Sequence, residues 1–331
     1  MLFRSLIVVA VVCGAFGCQR AVVPGDDSGG GTGADTDTEP GRRWMQVARS
    51  SNSLTCALDD LGRVFCAGYD SYGAVSAAPT EGGYREVAAG GAACAINSTG
   101  RAECWGVLPG LPGVADVPDT EVHGLYYTGR FPCALRDDDD HPVCWGTDSP
   151  GIPYGGALPP DRPAVQVTGD AGRACVRTAT GEVDCNGDEW DGTADNPPAW
   201  SVDPPEGSTF LDVAAGFKVA CGVRTDASLL CWGEDGEWGQ GVVTGAPAGE
   251  FTALCAASGS ACAVSRDGEV LCWGTMATWG PAITMSPPGL RVVSFSCGSG
   301  AACGLTALGE LHCGGDGPQH GSLDLPRLPP P

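Results

Sequence analysis

The sequence predicts an all-β fold: a seven-bladed β-propeller made of repeats of about 40 residues, with one hairpin disulfide in each blade. Three observations lead there. Cysteines recur in seven close pairs: Cys56 with Cys66, Cys94 with Cys104, Cys133 with Cys144, Cys175 with Cys185, Cys221 with Cys231, Cys262 with Cys272 and Cys303 with Cys313. The first members of successive pairs lie 38 to 46 residues apart, a spacing that belongs to propellers and other repeat arrays. Glycine (52) and proline (26) are abundant and charged residues make up only 18%, which suits many short strands and turns better than helices.

Several repeats open on a short apolar stretch of small residues, as in Val87-Ala-Ala-Gly90 and Val213-Ala-Ala-Gly216. Small side chains there predict an inner strand crowded by its neighbours near an axis. The two cysteines then bracket a hairpin. In Cys262-Ala-Val-Ser-Arg-Asp-Gly-Glu-Val-Leu-Cys272, folding about Asp267 sets Ser265 opposite Glu269 across a three-residue loop. A type I turn with a G1 bulge needs φ > 0 at the third loop residue, which favours glycine. Gly62, Gly100, Gly181, Gly268 and Gly309 take that place; Ala227 replaces glycine in the fifth repeat, and Asp137 to Asp140 make a four-residue loop in the third. With Ser265/Glu269 hydrogen-bonded, alternation makes Val264/Val270 and Cys262/Cys272 successive non-hydrogen-bonded pairs. Such partners lie closest, which suits a cross-strand disulfide. No Cys-x-x-Cys occurs and only four histidines (His123, His141, His312, His320) are scattered along the chain, so structural disulfides are favoured over zinc and no metal is expected. Every repeat continues Cys-x-Gly after its second cysteine, and Trp105, Trp145, Trp232 and Trp273 at the middle place are expected to fill the space between blades.

The string Val213-Ala-Ala-Gly216, then Cys221-Gly-Val, then Leu230-Cys231-Trp-Gly-Glu-Asp-Gly-Glu-Trp-Gly-Gln-Gly241 resembles the regulator of chromosome condensation repeat. The resemblance covers residues 44–331 and is to a cysteine-rich bacterial secreted branch of that family. It implies a seven-bladed propeller and says little about function. Members of the family exchange nucleotide on a nuclear GTPase, bind ubiquitin-pathway partners, or inhibit secreted β-lactamases with one propeller face, and no activity transfers on fold alone.

Three segments follow from the chain's order. Residues 1–17 read as a signal peptide, with Arg4 in a basic n-region and Leu6 to Val12 in an apolar stretch too short to span as a mature helix. Ala15-Phe-Gly17-Cys18 fits either a lipobox, with Cys18 lipidated, or an ordinary secretory cleavage site. Residues 18–43 are rich in Gly, Asp, Thr and Ser and read as a flexible tether. Residues 44–331 are the propeller. Cysteine arithmetic favours the lipobox: without the leader, only Cys18, Cys255 and Cys297 lie outside the hairpin pairs. Cys255 and Cys297 sit seven and six residues before the first cysteine of consecutive repeats. Neighbouring inner strands allow them to bridge, whereas the one-residue offset points them apart if the registers match. At the other end, Leu323 and Leu325 are placed to complete a blade shared with the segment starting at Trp44.

A net charge of −22 disfavours nucleic acid, whose phosphates would be repelled. No nucleophile elbow, Walker loop or His-Glu-x-x-His is present; Ser299 between Gly298 and Gly300 lacks the flanking spacing and reads as a turn. Asp137 to Asp140 read as a solvated hairpin tip. Asp184-x-Asn186-x-Asp188 mimics the start of a calcium loop, but Glu189 stands at the glycine place, so it reads as an acidic loop. The long connectors after Cys-x-Gly carry Trp190, Trp200, Trp238 and Trp279, with Tyr69, Tyr72 and Tyr154. Aromatics on loops around an acidic rim are candidate contacts for a protein partner. The expectation is therefore a non-catalytic binding scaffold of the cell envelope, monomeric, without cofactor, held to the bacterial outer membrane or cell surface only by its lipid. The alternatives are free secretion, an envelope enzyme using loop carboxylates on glycan or peptide, and an inhibitor of a secreted hydrolase.

Overall fold

The computed structural model describes residues 9–14, 17–22, 43–50, 54–68, 70, 72–106, 117–127, 131–145, 147–149, 152–153, 162–170, 173–187, 204–216, 219–233, 235, 241–257, 259–274, 289–298 and 301–315. Seven antiparallel three-stranded sheets form the blades, each in the order inner, middle, outer. Blade 1 is Trp44–Arg49, Leu54–Asp59 and Val64–Gly68. Blade 2 is Tyr84–Ala89, Ala93–Asn97 and Ala102–Trp105; blade 3 is Val122–Tyr127, Pro132–Arg136 and Pro142–Cys144. Blade 4 is Gln166–Thr168, Arg173–Arg177 and Val183–Gly187; blade 5 is Phe210–Ala215, Val219–Arg224 and Leu229–Gly233. Blade 6 is Phe251–Ala257, Ser260–Ser265 and Val270–Trp273; blade 7 is Ser294–Gly298, Ala301–Leu305 and Leu311–Gly315. Two short antiparallel pairs lie outside the blades: Val9–Gly14 with Gly17–Val22, and Thr147–Ser149 with Ile152–Pro153.

Each inner strand lies beside that of the next blade, and the inner strand of blade 7 lies beside that of blade 1, so the ring is closed. Closure leaves every blade with two covered faces. The middle strand Leu54–Asp59 is accordingly buried at all its positions, and the buried apolar residues fall into seven clusters, one at each blade-to-blade contact. The tryptophans after the second cysteine lie at these contacts: Trp105 Nε1 donates to Ala74 O and Trp273 Nε1 to Val242 O, both at 2.8 Å, and Trp232 stacks on Phe210.

The hairpins have the register that alternation predicts. Val264 faces Val270 and Cys262 faces Cys272, and each hairpin disulfide joins middle to outer strand across a Cα separation of 4.0 or 4.1 Å. Gly62, Gly100, Gly181, Gly268 and Gly309 all have φ between 72° and 86°. Their carbonyls have a second use. Each accepts the N–H at the start of the next blade's inner strand, as Gly62 does from Tyr84 and Gly181 from Phe210. Asp140 and Ala227 do the same in their blades, and Gly309 accepts from Trp44, so seven such bonds of 2.8 to 3.1 Å run around the ring. Among the described residues, then, the ring closes between Gly309 and Trp44; Leu323 and Leu325 lie outside them.

Neighbouring inner strands are staggered by one residue. Gln46 Oε1 accepts from Val87 N at 2.8 Å, Glu86 Oε2 from Leu125 N at 2.8 Å and Asp212 Oδ2 from Leu254 N at 2.9 Å. In each case the partner is one place further along its strand than the donor blade's own equivalent. The same offset carries Cys255 onto Cys297, which form an eighth disulfide with Cα atoms 5.9 Å apart. The one-residue difference in spacing, which would separate the two in matched registers, brings them together in staggered ones. Crowding near the axis is also visible: a Cβ on Gly90 would lie 1.8 Å from Tyr127 Cδ1, and one on Gly216 2.7 Å from Ala257 O.

Candidate functional site

The strand order gives the ring two unlike faces. On one lie the seven middle-to-outer hairpins. On the other lie the inner-to-middle loops and the points where the long connectors leave the outer strands.

The hairpin face is dense in paired charge. Asp137 Oδ1 is 2.6 Å from His123 Nδ1 and Asp137 Oδ2 is 3.5 Å from Arg85. Arg136 lies 4.0 Å from Asp138 and 2.5 Å from Asp139, and Asp140 lies 3.5 Å from His123 Nε2. Each carboxylate of the Asp137–Asp140 loop thus has a basic side chain beside it. Asp184, read as a mimic of a calcium-loop start, lies in an outer strand and pairs with Arg162 at 2.5 Å; Arg162 also holds Glu182. Arg101–Asp119 and Arg266–Glu250 extend the pattern to other blades.

Between the blades, polar side chains tie backbone to backbone. Arg177 Nε donates to Gln166 Oε1 at 2.9 Å, and Gln166 Nε2 donates to Asp212 Oδ1 at 2.5 Å. Burial pushes the Asp212 carboxyl up from the ordinary carboxylate range, against hydrogen bonds from Leu254 N and Gln166 that favour its charge. Glu86 is shifted the same way for the same reason. These groups satisfy inner-strand N–H groups that have no strand partner on the axial side, a structural role.

The opposite face holds a charge of another kind. Arg49, the last residue of the blade 1 inner strand, is only 6% exposed. Its Nη1 donates to Thr55 Oγ1 at 2.6 Å, and its backbone N–H donates to Ser296 Oγ of blade 7 at 2.9 Å. Its Nε is buried without a partner. Burial pulls the guanidinium pKa down to about 10, and among the described residues no carboxylate offsets it. Register shows how unusual the place is. Arg49 faces Thr55, where the other blades pair Ala89 with Ala93, Ala215 with Ala220, Ala256 with Ala261, Cys297 with Ala302 and Tyr127 with Pro132. Motif searching passes over Arg49 because no motif includes it. The available signal was Thr55 standing before a hairpin cysteine, a place that Ala93, Ala174, Ala220, Ala261 and Ala302 fill in other repeats.

The candidate partner contacts Trp190, Trp200, Trp238 and Trp279, together with Tyr69, Tyr154, Ser299 and the side chain of Cys18, lie outside the described residues. The Sγ atoms of Cys255, Cys262 and Cys297 lie within 4.8 Å of one another at the seam of blades 6 and 7, all held in disulfides.

No protein-family model matches the chain, and neither does any curated protein. Solved structures do match. The ectodomain of the Arabidopsis thaliana receptor kinase ACR4 is 21% identical with a TM-score of 0.65, covering 86% of this chain and all of its own. The ectodomain of the Physcomitrella patens receptor kinase CR4 is 24% identical with a TM-score of 0.62, covering 81% of this chain and 72% of its own. Prp20p of Saccharomyces cerevisiae, described with its binding to Gsp1p and histones, is 16% identical with a TM-score of 0.57, covering 82% of each chain. The fold is a propeller like that of yeast RCC1.

Proposed function

We propose that this chain is a non-catalytic binding scaffold of the cell envelope, tethered through a lipidated Cys18 and presenting the face opposite its hairpins to a protein partner. The observation that carries this reading is the difference between the two faces. The hairpins are short turns of similar length, and many of their charges are paired, as in Asp59–Arg63, Asp137–His123 and Arg136–Asp139. The connectors, at 69–83, 106–121, 145–165, 188–209, 234–250 and 274–293, differ in length and composition and carry the four loop tryptophans. Variable loops on a rigid repeated frame are where propellers place their contacts. That yeast Prp20p is described with protein partners agrees with such a use of this fold. Cleavage before Cys18 would also divide the strand pair Val9–Gly14/Gly17–Val22, leaving residues 18–43 as the link between lipid and ring.

Capture from envelope extracts with the intact, oxidised chain tests the reading. A specific protein should be retained at micromolar bait and lost with Trp238→Ala/Trp279→Ala, while the melting temperature stays put. Retention that ignores those substitutions, or no retention at all, rejects it. The anchor is tested apart from the partner: labelling by a palmitate analogue should disappear in Cys18→Ser, and persistent labelling refutes that attachment site.

A further inference from the structure

We infer that Arg49 is a carboxylate receptor set into the seam between blades 7 and 1, on the face opposite the hairpins. This goes beyond the scaffold reading and does not depend on it.

Geometry carries the argument. A guanidinium offers two edges for bidentate pairing, and Thr55 Oγ1 occupies Nη1 of Arg49. The remaining edge, Nε with Nη2, is the one that pairs side-on with a carboxylate. Arg63 in the same blade uses that edge on a carboxylate: its Nε and Nη2 both reach Asp59 Oδ2, at 2.8 and 2.7 Å. In Arg49 the Nε of this edge is buried and unpartnered, and among the described residues no carboxylate lies against the guanidinium.

An isolated buried cation without a counter-charge opposes folding. Among the described residues no acid is set against it, although the chain has 40 Asp and Glu residues against 18 Lys and Arg. The surroundings are instead built to hold the cation in place: Thr55 is 1% exposed and Ser50 4% exposed, and Ser296 fixes the Arg49 backbone from the neighbouring blade. Because the two contacts come from blades 1 and 7, the position exists only in the closed ring. A planar carboxylate is the group that such an edge pairs with best, one oxygen to each N–H. It can come from an acidic side chain or from a chain terminus.

Thermal melting of the full chain with small probes tests this. The probes are acetyl-Gly-Gly-Glu-amide, acetyl-Gly-Gly-Gly with a free carboxylate, the same peptide as its amide, and inorganic phosphate, all against chloride at equal ionic strength. The two carboxylate peptides should raise the melting temperature by roughly 2–4 °C at ten times their Kd, and the amide should not. The side-chain and terminal probes show which source fits better. In Arg49→Leu, the rise should vanish while the unliganded protein melts at the same temperature or higher. Should Arg49→Leu fail to fold, the ¹⁵Nε resonance of Arg49 in the unsubstituted protein is read instead, and it should shift with carboxylate and not with amide. The inference is overturned by no response beyond chloride, by a response that survives in Arg49→Leu, or by a larger response to phosphate than to carboxylate.

Discussion

Ala227 has φ +67° at the hairpin position where five other blades have glycine with similar angles. An L-residue there carries a left-handed penalty of about 1–2 kcal/mol, of which glycine's greater unfolded-state freedom would return about 0.5–1. Both backbone bonds of Ala227, to Arg224 O and from Phe251 N, need no side chain. Ala227→Gly should therefore stabilise by about 0.5–1 kcal/mol in denaturant unfolding. Gly181→Ala should destabilise by about 2 kcal/mol, because its Cβ would also lie 2.8 Å from Phe210 O. Glu86 permits a second test at this scale. Burial raises its carboxyl pKa above that of the unfolded chain. The stability it contributes is then complete below the unfolded value, near 4, and is lost as pH rises through the native one. Glu86→Gln keeps an acceptor for Leu125 N–H, as Gln46 does for Val87 in the preceding blade. It should melt like the parent at pH 4 and above it at pH 8; equal shifts at both would show that the Glu86 charge is not opposed by burial. Glu86→Ala removes the acceptor and should cost about 1–2 kcal/mol at either pH.

The strand hairpins were legible in the sequence because their rules are local. Turn chemistry and period-two alternation fix Cys262 opposite Cys272 whatever surrounds them. The stagger between inner strands is set by the ring and leaves no local trace, so whether Cys255 meets Cys297 stayed open until the ring was seen. The same holds for Gln46 and Asp212, polar strand residues that serve as links between blades. Arg49 was hidden differently: an arginine at a strand end looks like surface, and only the register comparison with alanine pairs exposes it. The seam of blades 6 and 7 gives this scale its prediction. Among the described residues its buried apolar cluster is the smallest of the seven, Cys262, Cys297 and Ala302, with Cys255, Val270, Cys272 and Phe295 partly buried around it. The disulfide there spans a sequence separation of 42, against 10 or 11 for the hairpins. Chain entropy then assigns about 4 kcal/mol to Cys255–Cys297 and about 3 kcal/mol to one hairpin bond. Cys255→Ala/Cys297→Ala should lower stability more than Cys94→Ala/Cys104→Ala, and hydrogen exchange should rise first in residues 294–298. An equal or smaller loss would mean that packing alone holds the seam.

At the scale of the molecule the decisive contact is the one that makes a linear repeat array into a ring. An open array would leave blade 1 and blade 7 each with an uncovered face. In the closed ring, Trp44 and Val47 of blade 1 bury against Leu305 of blade 7, and Trp44 N–H binds Gly309 O at 3.1 Å. Among the described residues, every element of this closure lies at or after Arg43. A chain beginning at Arg43 should keep the eight disulfides of the described residues and melt within about 2 °C of the full chain, since all three strands of every blade are retained. A chain beginning at Leu54 loses the whole blade 1 inner strand. Burial of Trp44 and Val47 alone stabilises by about 2–3 kcal/mol each, so its melting temperature should fall by roughly 10–20 °C. The exposed edge of Leu54–Asp59 is then free to pair between molecules, and light scattering should show dimers or larger species. If the chain beginning at Leu54 stays monomeric and melts like the longer one, closure is not what stabilises this propeller. The shorter chain also lacks Arg49, so any response to carboxylate peptides that it retained would count against the receptor assigned to that residue.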